Sequence, residues 1–214
     1  MHMRDISVFS TDLGVASLTF SQIPYTKTAY VRIQDTRNGD GFLEECVNFC
    51  KMAGAEKVYA TGHDVCRKYP YSAAIIAMQA DKLEIGTTDA CIFPVTENTL
   101  AQWRDIYNRK VIHIPNGAWM TLQAGEKMLE EGSGYFVHRN GVLIGIGKVS
   151  GNAVAWIASV SSGCGADVLK ALCHAITEDT VVLEVADTNK KAMNLYTELG
   201  FIPVRTISQW YRIL

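Results

Sequence analysis

Val181-Val-Leu-Glu-Val-Ala-Asp-Thr-Asn-Lys-Lys-Ala-Met-Asn-Leu-Tyr-Thr-Glu-Leu-Gly-Phe201 decides how the rest of the chain is read. Val181, Val182, Leu183 and Val185 make an apolar, β-branched run broken only by Glu184, which is a strand signal. Asp187-Thr188-Asn189 offers side-chain oxygens that cap a helix start. Ala192, Leu195, Tyr196 and Leu199 then recur at helical spacing, and Gly200 is placed to stop the helix before Phe201-Ile202-Pro203 opens another strand. Glu184 stands out, because a carboxylate in a buried strand is costly unless it is paired or faces a cleft. Strand and helix are expected to pack together and bring Glu184 and Tyr196 to one cleft, where a carboxylate and a phenol can serve as general base and general acid. An edge-exposed Glu and a core Tyr would fit the same spacing.

Leu183-Glu184-Val185, Asn189, Ala192, Leu195-Tyr196 and Leu199-Gly200-Phe201 resemble the final motif of the GNAT superfamily of N-acetyltransferases. Among its branches the stretch looks most like the one that acetylates protein N-terminal amines. The resemblance implies Glu184 as base and Tyr196 as acid, with Asn189 and Tyr196 also at the coenzyme. It also implies a GNAT-like acyl-CoA N-acyltransferase fold of the α/β class, a mixed twisted sheet with helices on both faces.

Composition fits that reading. The chain has 214 residues, 48% hydrophobic and 20% charged, which suits a globular protein with a sizeable core. A net charge of −2 argues against non-specific binding to nucleic acid or an anionic membrane. No apolar run is long enough for a transmembrane helix, and no signal-peptide pattern follows Met1-His-Met-Arg-Asp5, so a cytoplasmic location is expected. Cys46 and Cys50 share a helix face near His63 in sequence, but six cysteines without a Cys-x-x-Cys pair read as reduced, buried thiols rather than a metal site.

Upstream of the motif, Ala153–Ala158 reads as a strand. Ser162-Gly163-Cys164-Gly165-Ala166-Asp167 follows it and opens a helix whose apolar face is Val168, Leu169, Leu172 and Ile176. Glycines let a backbone approach an anion closely, and the unpaired N–H groups of a helix start, with its dipole, favour a pyrophosphate. A plain tight turn has the same appearance. In the resembled family the coenzyme A pyrophosphate binds a turn of pattern Gln/Arg-x-x-Gly-x-Gly/Ala at this place, and Gly165 matches its central glycine. Ser162 stands where Arg or Gln is expected, Asp167 where Gly or Ala is expected, and Ser159 where the family has proline. Asp167 is expected to suit the helix dipole and to oppose a phosphate. The resemblance also implies that Ile157 and Ala158 end a strand that parts from its neighbour, so that free backbone groups pair with the pantetheine arm.

Ile6–Phe9, Val15–Phe20, Ala29–Ile33, Lys57–Ala60 and Ile75–Met78 read as strands, and Phe42–Met52 as a helix. Seventeen residues separate Gly41 from Val58 and also Gly165 from Val182, an offset of 124 in both places, which suggests an internal repeat. The first copy has Ala60, Val65 and Ser72 where the second has Glu184, Asn189 and Tyr196, and its turn carries Asp40. Residues 1–90 are therefore expected to be a degenerate GNAT-like half domain and residues 91–214 the acetyltransferase domain, with the boundary in the turn-rich segment 84–96. Beyond it, Thr96 caps a helix with Leu100, Trp103, Ile106 and Tyr107 on one face. Pro115-Asn116-Gly117 breaks the chain, Ala118–Leu129 forms a second helix, and Tyr135–Val149 is a hairpin turning at Asn140-Gly141. Gly141, Gly145 and Gly147 precede no helix and do not form a nucleotide loop.

The expectation is an N-acetyltransferase that moves an acetyl group from acetyl-CoA to a primary amine by direct transfer, without metal. The acceptor is a small molecule or a peptide N-terminus, and the protein a monomer or homodimer. A non-catalytic coenzyme A sensor or scaffold of the same fold, and transfer of a longer acyl group, are the alternatives.

Overall fold

The computed structural model describes residues 5–112, 114 and 117–214. Pro115 and Asn116, read as a chain break, and Met1–Arg4 lie outside the described residues. In chain order the elements are β1 (Ile6–Thr11), β2 (Gly14–Thr19), α1 (Ile23–Thr26), β3 (Thr28–Thr36), α2 (Gly39–Met52), β4 (Lys57–Thr61), a 3-10 turn (Asp64–Lys68), β5 (Tyr71–Asp81), α3 (Lys82–Ile85), β6 (Cys91–Pro94), α4 (Glu97–Val111), α5 (Leu122–Glu130), β7 (Gly134–Arg139), β8 (Val142–Ser150), β9 (Ala153–Ser159), α6 (Gly165–Cys173), β10 (Thr180–Ala186), α7 (Lys190–Glu198) and β11 (Ile202–Arg212). They form two compact units. One holds the chain up to Ala74 together with Ile207–Leu214, and the other holds Ile75–Thr206. No helix among the described residues is long and apolar enough to cross a membrane.

In the first unit β1, β2 and β3 form an antiparallel meander, and β4 joins β3 in parallel. Tyr211 and Arg212 of β11 then pair antiparallel with β4. The helix α2 carries Phe42, Leu43, Cys46 and Cys50 into a core with Ala29, Val31, Ile33 and Val58. Burial pushes the Cys46 and Cys50 thiols up to about 12, so both stay protonated.

The second unit has a mixed sheet in the order β5-β10-β9-β8-β7-β6. The strands β7, β8 and β9 form an antiparallel meander, α6 follows, and β10 returns parallel to β9. Val154, Leu183 and Val185 point to one face, against Val168, Leu169 and Leu172 of α6 and Tyr196 of α7. Trp156 and Ala158 point to the other, against Trp103 and Tyr107 of α4 and Met128 of α5. Helices therefore cover both faces. The strand period of two assigns these faces, except that an extra residue at Ala155 reverses the alternation of β9 between Val154 and Trp156, and a fully buried side chain such as Leu172 contributes about 1.5–3 kcal/mol.

The glycines of β8 serve packing. A Cβ at Gly145 would lie 2.4 Å from Val168 Cγ2, and one at Gly147 2.2 Å from Leu172 Cδ1. Their missing side chains let α6 sit directly on the sheet. The helix expected over Ala118–Leu129 starts later than its periodicity suggests. Thr121 accepts from the Ala124 amide and caps α5, while the Met120 amide donates to Asn108 Oδ1 and its carbonyl accepts from Asn108 Nδ2, which ties 118–120 to α4 as an extended segment. Likewise Ile176 is in the core but past the end of α6 at Cys173.

Candidate active site

The second unit's sheet opens where β9 leaves β10. These strands pair only at Val182↔Ala153 and Leu183↔Val154. Beyond that point β9 continues to Ser159 along β8, while β10 continues to Ala186 along β5. The cause lies in the register with β8. Gly147 opposes Ile157 and Lys148 opposes Trp156, but Val149 opposes Val154, so Ala155 is one residue too many on β9. Such a bulge bends its strand and sharpens its twist. It sits one position after the last β9–β10 pair, which accounts for the separation.

The ladder also settles which backbone groups the gap receives. The Val160 amide donates to the Ile144 carbonyl (2.9 Å), and Ala158 opposes Ile146 two pairs earlier. Alternation then turns the main-chain groups of Ala158 toward β8 and those of Ile157 and Ser159 into the gap. Of the two strand residues expected at a coenzyme, Ile157 thus presents its backbone to the opening and Ala158 does not. Ser159 joins Ile157.

At the end of β9 the chain enters the glycine turn. Gly163 has φ +81° with open space around it, a conformation that L side chains rarely adopt. Gly165 begins α6, and a Cβ there would meet Leu195 of α7 at 3.0 Å. Neighbouring helices are capped by side chains: Thr121 on α5, Asn189 on α7 and Thr96 with Thr99 on α4. On α6 the N-cap is Cys164, and no side chain among the described residues accepts from its first-turn amides. Those donors stay available to an anion. Ser162 and Gly163 are exposed, and Gly165 and Ala166 half-buried.

Asp167 corrects one expectation. Its carboxylate is not a bare negative charge opposing a phosphate. Arg139 Nη1, at the end of β7, donates to Asp167 Oδ2 (2.6 Å), and Thr88 Oγ1 donates to Oδ1 (3.0 Å). Arg139 Nη2 also lies 3.7 Å from Cys164 Sγ, over the same turn. Arg139 and Thr88 are 28 and 79 residues from Asp167 in sequence, and nothing in either local pattern announces them.

Tyr196 is 6% exposed and packs near Phe201, with ring centroids 6.0 Å apart. Burial pushes its phenol up to about 12. Among the described residues no group hydrogen-bonds its hydroxyl, and the raised value keeps the phenol protonated through the neutral range. Glu184 is not beside it. Leu183 and Val185 face the cluster that contains Tyr196, so Glu184 between them points to the opposite face, where it is exposed. It is the first residue of β10 past the last pair with β9, on the face that bears Trp156 and Ala158. Tyr196 thus belongs to the α6–α7 face of the sheet and Glu184 to the α4–α5 face. Asn189 Oδ1 accepts from the Ala192 amide (3.2 Å) and caps α7.

No family model matches the sequence, and no curated protein matches it. Solved structures do match the fold. A putative acetyltransferase from Pyrococcus horikoshii aligns over 94% of this chain and 69% of its own, at 12% identity and TM-score 0.65. A GCN5-related N-acetyltransferase from Sphaerobacter thermophilus aligns over 92% and 75%, at 11% identity and TM-score 0.60. A tandem GNAT protein from the clavulanic acid biosynthesis pathway aligns over 94% and 78%, at 14% identity and TM-score 0.52. Identities this low speak for architecture alone, and on that ground the chain has the fold of the GCN5-related N-acetyltransferases.

Proposed function

We propose that this protein is an acetyl-CoA-dependent N-acetyltransferase whose second unit carries the active site. The observation that carries the reading is the bulge-driven parting of β9 and β10 beside an uncapped, glycine-opened helix start. The residues present fit the coenzyme. The turn Ser162, Gly163, Cys164, Gly165, Ala166 and Asp167 would hold the pyrophosphate on the α6 amides, and Ile157 and Ser159 would pair with the pantetheine arm as an added strand does. Asn189 keeps its Nδ2 donors for the same ligand, since only its Oδ1 is used by the cap. Acetyl-CoA, when bound, supplies the activated thioester.

The remaining chemistry belongs to side chains. An ammonium must lose a proton before it attacks, and Glu184 takes it, directly or through water, from the α4–α5 face. A strand amide at Ile157 or Ser159 donates to the carbonyl oxygen as charge builds there. The Tyr196 hydroxyl donates to the departing sulfur from the α6–α7 face. The acceptor is a primary amine, of a small molecule or a peptide N-terminus, approaching from the Glu184 side.

We further read the first unit as a degenerate copy. Its order of meander, helix and parallel strand matches that of the second unit, and a tandem GNAT protein is among the structural neighbours. Its own helix start is closed: Asn38 caps α2, Asp40 pairs with Lys68 (2.6 Å), and a Cβ at Gly39 would meet Val65 at 2.8 Å.

The test is a thermal-shift titration with acetyl-CoA beside a free-thiol release assay over amines, polyamines, amino acids and N-terminal peptides. Stabilisation with amine-dependent thiol release is the expected result. Stabilisation without release from any acceptor would assign a non-catalytic coenzyme binder, and no stabilisation would remove the coenzyme reading.

A further inference from the structure

We infer that Arg139 is the cation of the pyrophosphate site, reaching the α6 turn from the end of β7; the inference rests on the coenzyme reading above. The turn's own side chains carry no positive charge: Ser162, Cys164 and Ala166 are neutral, and Asp167 is negative. A cation adds to what the amides supply to a pyrophosphate, because charge-assisted hydrogen bonds are about twice as strong as neutral ones. The guanidinium of Arg139 is fixed over this turn by Asp167 Oδ2 at 2.6 Å and Cys164 Sγ at 3.7 Å. Asp167 is itself anchored through Oδ1 by Thr88, whose Oγ1 also accepts from the Ala90 amide. The carboxylate is thus satisfied on both oxygens and holds the fork in place.

These two bonds use one N–H of each terminal nitrogen. Nε and the second N–H of each remain, on a side chain that is 36% exposed. The other cations nearby are less suited. Lys170 leans toward Gly86, and Lys190 and Lys191 are exposed on the first turn of α7, with no partner among the described residues that fixes them. Arginine's planar fork also loses less freedom per bond formed than a lysine does. Asp167 thereby becomes a positioning residue for the cation, and the acidic side chain at this turn has a use.

Calorimetric titration of acetyl-CoA tests the assignment, on the wild-type chain and on the neutral, hydrogen-bonding pair Arg139→Gln with Asp167→Asn, across a range of salt concentrations. The double variant removes no net charge and leaves no carboxylate unpaired, so it keeps the fold even if Arg139→Gln alone does not. The expected result is binding weakened about tenfold or more with a shallower salt dependence. Wild-type affinity in the double variant would mean that Arg139 only neutralises Asp167, and overturns the inference. So does a weakened affinity with unchanged salt dependence, which reports packing. If the wild-type chain does not bind acetyl-CoA at all, the underlying coenzyme reading has failed, and this is seen before any substitution is made.

Discussion

Removing one oxygen from Tyr196 separates a chemical role from a packing role. The ring is buried, yet the hydroxyl has no hydrogen-bond partner among the described residues. Tyr196→Phe therefore sacrifices no protein bond, and the melting temperature should stay within about 2 °C. The effect on turnover follows from the phenol's acidity. At about 12 it lies roughly 3.5 pK units above an ordinary thiol near ~8.5, so complete proton transfer to the thiolate is uphill by ~5 kcal/mol. The hydroxyl then acts by hydrogen-bonding the sulfur as charge gathers on it. A hydrogen bond to a charged group is worth ~1.5–3 kcal/mol, which sets the loss in kcat at about 10- to 150-fold, with the acetyl-CoA Kd nearly unchanged. Because burial raises the phenol rather than lowering it, the group stays protonated through the neutral and mildly alkaline range, and the wild-type rate profile should show no descending limb from it below about pH 11. The assay is thiol release at saturating acetyl-CoA on one acceptor from pH 6 to 10, with melting curves on the same samples. A normal kcat in Tyr196→Phe would refute the reasoning, and so would a phenol-linked decline near pH 9.

Three further outcomes are expected. Gly145→Ala places a methyl 2.4 Å from Val168 Cγ2 and 2.8 Å from the Ala158 carbonyl, so overpacking of ~1–3 kcal/mol should lower the melting temperature by roughly 2–12 °C and weaken acetyl-CoA by tilting α6; an unchanged melting curve would show that α6 does not rest on β8 there. Coenzyme stoichiometry by calorimetry should be one per chain, since Val65, Asn38 and the Asp40–Lys68 pair close the α2 start; two equivalent sites would end the degenerate-copy reading. Asn189→Ala should cost ~1 kcal/mol through loss of the α7 cap, whereas Asn189→Asp should keep the stability, as read by urea unfolding; equal loss in both would mean the cap is not what Asn189 contributes.

The run from β9 through α7 was legible because periodicity and turn chemistry agree there: Val181, Leu183 and Val185 alternate, Asn189 caps, and Leu195-Tyr196 and Leu199 fall on the helical stripe. The faces from which Glu184 and Tyr196 are presented follow from a consideration that the sequence contains. If α7 packs on the face of Leu183 and Val185, the strand period puts Glu184 on the other face. The bulge at Ala155 could not be read, because an extra residue is defined only against its partner β8. Arg139 was hidden for a similar reason. It sits at a hairpin end whose register with β8 shifts between Val137 and His138, and only that register sets where the guanidinium falls relative to α6.

The pairing of β10 with β5 has a consequence for how the protein is made. Glu184 lies opposite Ala77, 107 positions earlier in the chain, and the ladder between these strands runs from Thr180↔Asp81 to Ala186↔Ile75. At ~5–20 residues per second, a ribosome takes roughly 5–20 s to synthesise the intervening segment. Throughout that interval β5 has been made and its β10 partner has not, leaving a β-prone edge of Ala, Ile and Met residues exposed to other nascent chains. The strand that borders the β9–β10 gap is thus the one whose arrival ends the hazard, and chaperone dependence during translation should track the rate at which residues 82–186 are synthesised.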